Sequence, residues 1–100
     1  MNPEITLCQL TSSTSNGYGR LVAMTGAHTF VTHENGISFK FKGSRAANYA
    51  KITLEADDTY TMTIGKIRNY RLTKPQEFEG LYAESLRPAF ERATGLYTSL

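Results

Sequence analysis

The feature that most constrains the fold of this chain is a series of short runs between Thr29 and Ile64 in which apolar and polar residues alternate. Alternation with a period of two is typical of β-strands that bury one face. Two turn sequences, Asn35-Gly36 and Ala56-Asp57-Asp58, separate the runs, and both favour hairpins. The pattern therefore predicts consecutive antiparallel strands.

The first hairpin is predicted from Asn35-Gly36, a strong short-range signal for a two-residue type I′ turn. With these residues at the centre of the turn, Thr32 pairs with Phe39 and Phe30 pairs with Phe41. The three phenylalanines then share the core face, and their sequence neighbours point the other way.

The second hairpin is predicted around the loop Ala56-Asp57-Asp58. A three-residue loop pairs Thr53 with Thr61 and Lys51 with Thr63. A two-residue loop would instead pair an outward residue with an inward one, so we expect the longer loop.

Alternation fails directly after Ile64. Continued without a break, it would bury Lys66 and Arg68 and expose Ile67, and burying two unpaired charges is costly. A β-bulge at Gly65 would shift the phase by one residue and return both cations to the outer face. We therefore predict a bulge at this glycine.

The N-terminal part is predicted to begin with a short helix. Asn2-Pro3-Glu4 combines a capping residue, a proline suited to the first turn and an acid at the positive end of the helix dipole. We expect this helix to end near Leu10. The polar stretch from Thr11 to Gly19 predicts a mobile loop, and Leu21 to Met24 a further strand.

The C-terminal part is predicted to change from strand to helix. Tyr70 to Thr73 reads as a last short strand, and Pro75 to Gly80 breaks the sheet pattern. Pro88 should kink the following helix or divide it into two, and Gly95 suits its end. Helical spacings of four, four and three separate the apolar residues Tyr82, Leu86, Phe90 and Ala93.

These elements predict an α+β fold. It has an antiparallel sheet of about five strands, a C-terminal helix packed on one face and a short N-terminal helix. A chain of 100 residues that are 40% apolar can bury one modest core, so we expect residues 1–100 to form a single domain.

Charge is concentrated in two windows that contain no acidic residue, Gly36 to Leu54 and Thr59 to Gln76. Eight of the eleven cationic residues lie there, although the formal net charge is only +2. Both windows read as strands, so alternation predicts a basic outer face of the sheet. The residues predicted to bind nucleic acid on this face are Lys40, Lys42, Arg45, Tyr49, Lys51, Lys66 and Arg68.

Signatures of catalysis and of cofactor binding are missing from the sequence. His28 and His33 are the only histidines, and in a strand they would face opposite sides, so no metal site is predicted. No serine or cysteine has a histidine and an acid at a recognisable spacing. We therefore expect a protein that is not an enzyme and has no cofactor.

Cys8 is the only cysteine, so no disulfide can form within the chain. No run approaches the roughly 18 apolar residues that a spanning helix requires, and no signal peptide is apparent. The sequence therefore predicts a cytoplasmic protein that does not contact membranes.

Three segments resemble a family of small proteins of unknown function encoded by bacteriophages and other mobile elements. They are Gly19 to Ala27, the strand from Asp58 to Arg68, and the end of the chain from Phe78–Ala83 through Thr94–Leu100, and the likeness covers roughly Gly19 to Leu100. The resemblance implies a mobile-element origin and a role in the cytoplasm of a bacterial host. It brings no catalytic residue with it.

Two functions are compatible with these observations. The basic face could contact DNA or RNA during replication of a phage or mobile element. Alternatively, the chain could be a protein-interaction module that inhibits or modulates a host protein complex, through the same face or an open sheet edge. Open edges also allow a homodimer, but no residue specifies the oligomeric state.

Overall fold

The fold is an α+β arrangement, as predicted. The computed structural model of the protein describes residues 2–11, 17–42, 44 and 46–96. The elements are α1 (Pro3–Thr11), α2 (Gly17–Thr25), β1 (His28–His33), β2 (Gly36–Lys40), β3 (Tyr49–Leu54), β4 (Tyr60–Arg68), β5 (Arg71–Leu81), a short 3₁₀-helix (Ala83–Ser85) and α3 (Leu86–Thr94). The five strands form one antiparallel sheet in the order β1-β2-β3-β4-β5. None of the described helices has the length and apolar character needed to cross a membrane.

The core lies between one face of the sheet and the helices. Phe90 of α3 packs on the β2 ring of Phe39 and on Phe41, with ring centroids 6.2 and 5.2 Å apart. Helix α1 covers the neighbouring part of the same face, where the Thr6 hydroxyl lies 3.4 Å from the Tyr60 hydroxyl. All five residues are buried. The predicted packing of the C-terminal helix is therefore confirmed, and we call the opposite side of the sheet the open face.

Helix α1 begins as predicted. The Asn2 side-chain oxygen accepts hydrogen bonds from the backbone N–H groups of Glu4 and Ile5, at 3.0 and 3.3 Å. This satisfies donors that have no partner inside the helix.

The segment before β1 differs from the prediction, because Gly17–Thr25 is a helix and not a loop followed by a strand. Residues 12–16 of the predicted mobile loop lie outside the described residues. Leu21 and Thr25 are both buried, and their spacing of four places them on one helical face. Glu4 fixes the start of α2, since its Oε1 accepts the Gly17 N–H at 2.6 Å. A short apolar run such as 21–24 does not by itself distinguish a strand from a helix.

The first hairpin forms, but its turn lies one residue earlier than predicted. His33 pairs with Gly36, so Glu34 and Asn35 are the loop residues. Gly36 does not have the positive φ that a type I′ turn would require. Its missing side chain serves packing instead, because a β-carbon there would lie 2.6 Å from the Ile52 carbonyl oxygen. Phe30 nevertheless reaches the core face.

The second hairpin has the predicted register. Thr53 pairs with Thr61 and Lys51 pairs with Thr63. Asp58 has a φ of +66°, the left-handed residue that a three-residue loop uses.

The predicted bulge at Gly65 is wrong, because β5 and not β4 carries the extra residue. Ile64 pairs with Gln76 and Lys66 pairs with Thr73, so two residues of β5 lie opposite Gly65 alone. One of them, Lys74, has a φ of +50°. The alternation of side chains between the two faces of the sheet therefore continues unbroken along β4.

Strand β5 also continues through Pro75 to Gly80, where the sequence predicted a break. It pairs only with β4, so it is an edge strand. An edge strand tolerates a proline, which lacks a backbone N–H.

The C-terminal helical region is divided as predicted from Pro88. A 3₁₀-helix ends at Ser85, and α3 then starts at Leu86. This places Pro88 in the first turn of α3, where a backbone N–H has no helical partner. The helix ends at Gly95, whose φ is +73° and whose N–H donates to the Glu91 carbonyl oxygen at 2.8 Å.

Candidate nucleic-acid interface

The residues predicted to form one basic face are divided between two sides of the sheet. Lys40 pairs with Tyr49, and Lys51 pairs with Ser38 in the next row. Both lysines follow core residues in alternation, so they lie on the open face, as predicted. They are half-buried.

Lys66 and Arg68 lie on the helix side of the sheet, which corrects the prediction. With the phase of β4 unchanged, they follow Ile64 at steps of two, while Ile67 lies on the open face. They extend beyond the part of this face that the helices cover. Here they line a cleft of about 360 Å³ together with Ala46, Thr73, Lys74 and Gln76.

Lys42 and Arg45, the other two predicted residues, add neither to the open-face group nor to the pair on the helix side. The Lys42 backbone N–H donates to the Thr25 carbonyl oxygen at 2.9 Å, and its side chain passes beside Gly26. Arg45 lies outside the described residues.

The hairpin between β4 and β5 concentrates charge in a way that the sequence analysis did not single out. Arg71 pairs directly with Arg68, and Lys74 lines the same cleft as Lys66. We call Lys66, Arg68, Arg71, Lys74 and the hairpin residue Tyr70 the basic arm. Among the described residues, no carboxylate forms a salt bridge with Arg68, Arg71 or Lys74.

Tyr70 occupies the tip of the basic arm. Its relative exposure is 103%, so the side chain contacts solvent on all sides. The two loop residues, Asn69 and Tyr70, have φ values of +51° and +65°. This is the backbone of a type I′ turn, in which glycine is the favoured second residue. A tyrosine here accepts backbone strain and gains no packing in return.

An acidic cluster lies on the open face, at the corner diagonally opposite Lys40. Glu77 pairs with Thr63, and Glu79 follows at the strand spacing of two. Glu55 and Asp57 come from the β3–β4 hairpin, and the four acids line a cleft of about 530 Å³. The spacing of Glu77 and Glu79 would have revealed this cluster if Pro75 to Gly80 had been read as strand.

The acids in this corner have different environments. A hydrogen bond that protonated Glu77 donates to Glu79 raises the pKa of Glu77, and desolvation and the charges of Glu79 and Glu55 raise it further. The Thr59 hydroxyl and backbone N–H donate to Asp57 Oδ1 at 2.6 and 3.1 Å, which lowers the pKa of Asp57. No group of three potential metal ligands is found within the described part of the chain.

The open face also brings together a serine and a histidine that linear spacing did not predict. His33 Nε2 lies 2.9 Å from the buried Ser38 Oγ. No described carboxylate hydrogen-bonds to the other nitrogen of His33, so the pair lacks the orienting acid of a catalytic triad.

Comparisons with known proteins add no relative to this description: no family model, no curated protein and no solved structure matches the chain. The resemblance to phage-encoded proteins stays a prediction. The basic arm and the open face must therefore be interpreted from their own geometry.

Proposed function

We propose that this protein binds nucleic acid through the basic arm. Exposed arginines and lysines on a β-hairpin are suited to contact phosphates, and an exposed aromatic ring can stack on a base. The observation that carries the proposal is the fully exposed Tyr70 at the tip of a hairpin with four cations on its two strands. In a phage or mobile element, such binding would serve replication of the element.

The electrostatics of the arm support an anionic ligand. Arg68 and Arg71 face each other directly across the two strands, and like charges in this position repel. A phosphate between them would replace that repulsion with two charge-assisted hydrogen bonds. The cleft beside them adds Lys66 and Lys74 within reach of the same backbone.

The conformation of Tyr70 supports a role outside folding. A non-glycine residue in the left-handed region costs roughly 1 kcal/mol. A solvent-exposed ring does not recover this cost by packing. Stacking on an unpaired base would recover it on binding, so we favour single-stranded DNA or RNA as the ligand.

The open face is a weaker candidate for the same ligand. Lys40, Tyr49 and Lys51 share that face with the acidic corner, and the carboxylates of Glu77 and Glu79 would repel phosphates. The described residues that line the cleft of the basic arm include no acid.

The test is fluorescence anisotropy with labelled single-stranded DNA, duplex DNA and RNA, each titrated at low and at physiological salt. Short oligonucleotides of about ten nucleotides limit bridging between copies of the protein. Replacing Arg68 and Lys74 together by Gln should weaken binding about tenfold or more at low salt. It should also reduce the slope of log affinity against log salt by about one for each phosphate that the variant no longer neutralises.

The matched control replaces Lys40 and Lys51 by Gln, which removes the same charge from the open face. At physiological salt its affinity should stay within about threefold of the unmodified protein, because charges more than the Debye length of about 8 Å from the arm are screened. Equal losses in both variants would contradict recognition by the arm. No binding of any oligonucleotide at low salt would favour the alternative, a module that acts on a host protein complex. A pull-down from nuclease-treated host lysate would then test that alternative.

A further inference from the structure

The bulge in β5 changes the direction of one lysine beside the basic arm. Thr73 and Gln76 lie on the helix side of the sheet, since their partners in β4 do. One residue of β4 separates those partners, whereas β5 has two residues in between, and Lys74 is the first of them. In a regular strand a residue at this position would point to the open face, but Lys74 lines the cleft on the helix side. The bulge therefore brings Lys74 into the same cleft as Lys66 and Arg68.

The backbone of Lys74 is held in an unfavourable conformation. Its φ of +50° lies in the left-handed region, which residues other than glycine rarely adopt. Asn69 and Tyr70 at the tip of the arm share this conformation. Lys74 is exposed, so burial of its side chain does not offset the strain. Strained residues of this kind cluster at ligand sites, and the conformation of Lys74 fits a ligand site better than a packing role.

The two strands that border the cleft are held by hydrogen bonds from side chains to the backbone. The Ile67 N–H donates to Asn48 Oδ1 at 2.7 Å, and Asn48 Nδ2 donates to the Ile67 carbonyl oxygen at 3.2 Å. The Thr73 hydroxyl donates to the Lys66 carbonyl oxygen at 2.9 Å and so joins β5 to β4. These bonds fix the strand positions from which the cations extend.

The connection between β2 and β3 borders the cleft on another side. Ala46 is the one described lining residue that belongs to neither strand of the arm. The Ser44 hydroxyl accepts the Ala46 N–H at 3.1 Å and donates to the Thr94 carbonyl oxygen of α3 at 2.8 Å. The cleft is therefore formed before a ligand arrives, which lowers the entropic cost of binding.

The charge in this cleft exceeds what one internal phosphate of a strand would neutralise. Its described lining residues include three cations, Lys66, Arg68 and Lys74, and no acid. A phosphodiester carries a single negative charge, whereas a phosphate monoester carries about 1.5 to 2 at pH 7 and has three oxygens that accept hydrogen bonds. The volume of about 360 Å³ is also in the range of sites that hold one small ligand. A phosphate monoester therefore matches the cleft better than a phosphodiester.

We infer that this cleft binds the phosphate monoester at the end of a single strand of nucleic acid. Lys74 follows Tyr70 by four residues along β5, a distance of about 13 Å. One strand can thus place its terminal phosphate in the cleft and a nearby unpaired base on the Tyr70 ring. The inference rests on the proposed function, because the remainder of the basic arm holds the rest of the strand.

The test is fluorescence anisotropy at low salt with three internally labelled strands of one sequence and about ten nucleotides. They carry a 5′-phosphate, a 3′-phosphate or neither. A strand that lies along the arm in one direction brings only one of its ends to the cleft. One phosphorylated strand should therefore bind about tenfold more tightly than the other, although their net charges are equal. Equal affinities would overturn the inference and leave binding by the arm intact.

Variants of the arm locate this preference. Lys74→Gln should reduce it to within about twofold, and Arg68→Gln should lower it as well, because both residues line the cleft. Arg71→Gln is the matched control, since it removes the same charge from the arm outside the cleft. It should weaken binding of both phosphorylated strands alike and keep the preference. Circular dichroism checks that each variant folds. A preference that survives both cleft variants would overturn the site.

Competition separates a strand end from other sources of the same chemistry. Adenosine 5′-monophosphate and inorganic phosphate are each titrated against the more tightly bound phosphorylated strand. Each should bind at least about tenfold more weakly than the strand, because it lacks the additional contacts along the arm. An affinity equal to that of the strand would overturn recognition of a strand end. No binding of any strand at low salt would overturn the proposed function together with this inference.

Discussion

The side chain of Leu72 fills the space above Gly65: a β-carbon on residue 65 would lie 2.6 Å from Leu72 Cδ1. Gly65 therefore serves to admit a neighbouring side chain and not to bend β4. The extra residue opposite Gly65 belongs to β5, so the alternation along β4 continues and Lys66 and Arg68 lie on the helix side of the sheet.

The first prediction concerns this contact. Gly65→Val should lower the free energy of unfolding by about 1 to 3 kcal/mol, because the added side chain collides with Leu72. In the background of Leu72→Ala, the same substitution should cost much less. Urea unfolding of the four proteins gives the coupling energy. Additive effects would contradict a direct contact.

The second prediction separates stability from binding at Tyr70. Tyr70→Gly should raise the free energy of unfolding by about 0.5 to 1 kcal/mol, because glycine adopts the left-handed region without strain. It should weaken binding of single-stranded DNA by about 1 to 3 kcal/mol through loss of stacking. Thermal unfolding and anisotropy measure the two effects. Tyr70→Phe keeps the ring, so its affinity should remain near that of the unmodified protein.

The third prediction concerns pH. Glu77 has a raised pKa in the folded state, so its contribution to stability is complete below the ordinary pKa of a glutamate and is lost as pH rises through the raised value. Glu79, Glu55 and Asp57 are the charged groups that share its cleft. Glu77→Gln should therefore raise the melting temperature at neutral pH and leave it unchanged at acidic pH.

The control for this pH dependence is Glu34→Gln, which removes the same charge from an exposed turn away from the cleft. Melting curves recorded across the acidic range compare the two variants. A stabilisation by Glu77→Gln that persists at low pH would contradict the repulsion.

The fourth prediction concerns the core. Phe90→Ala should lower the free energy of unfolding by about 3 to 5 kcal/mol, because the ring is fully buried between Phe39 and Phe41. Ile5→Ala removes an apolar side chain of α1 that is 54% exposed, and should cost less than about 1 kcal/mol. Denaturant unfolding measures both. Similar costs would place Phe90 outside the core.

How much of the fold could be predicted from the sequence depended on whether local chemistry or packing decided each element. The turn at Asp58 and the cap at Asn2 are local, and both are confirmed. At positions 36 and 65, by contrast, glycine is required because the neighbouring strand leaves no room for a side chain. That packing cannot be read from the local sequence. The site shows the same difference. The sequence shows the cations, but the side of the sheet on which each lies depends on whether β4 or β5 contains the bulge.

The order of the elements along the chain has a consequence for biosynthesis. The strands pair with their sequence neighbours, so each hairpin can form soon after it leaves the ribosome. Phe39 and Phe41, however, are covered by Phe90, which is synthesised after the whole sheet. A nascent sheet therefore exposes these rings until α3 emerges, and in that interval the apolar surface favours chaperone binding.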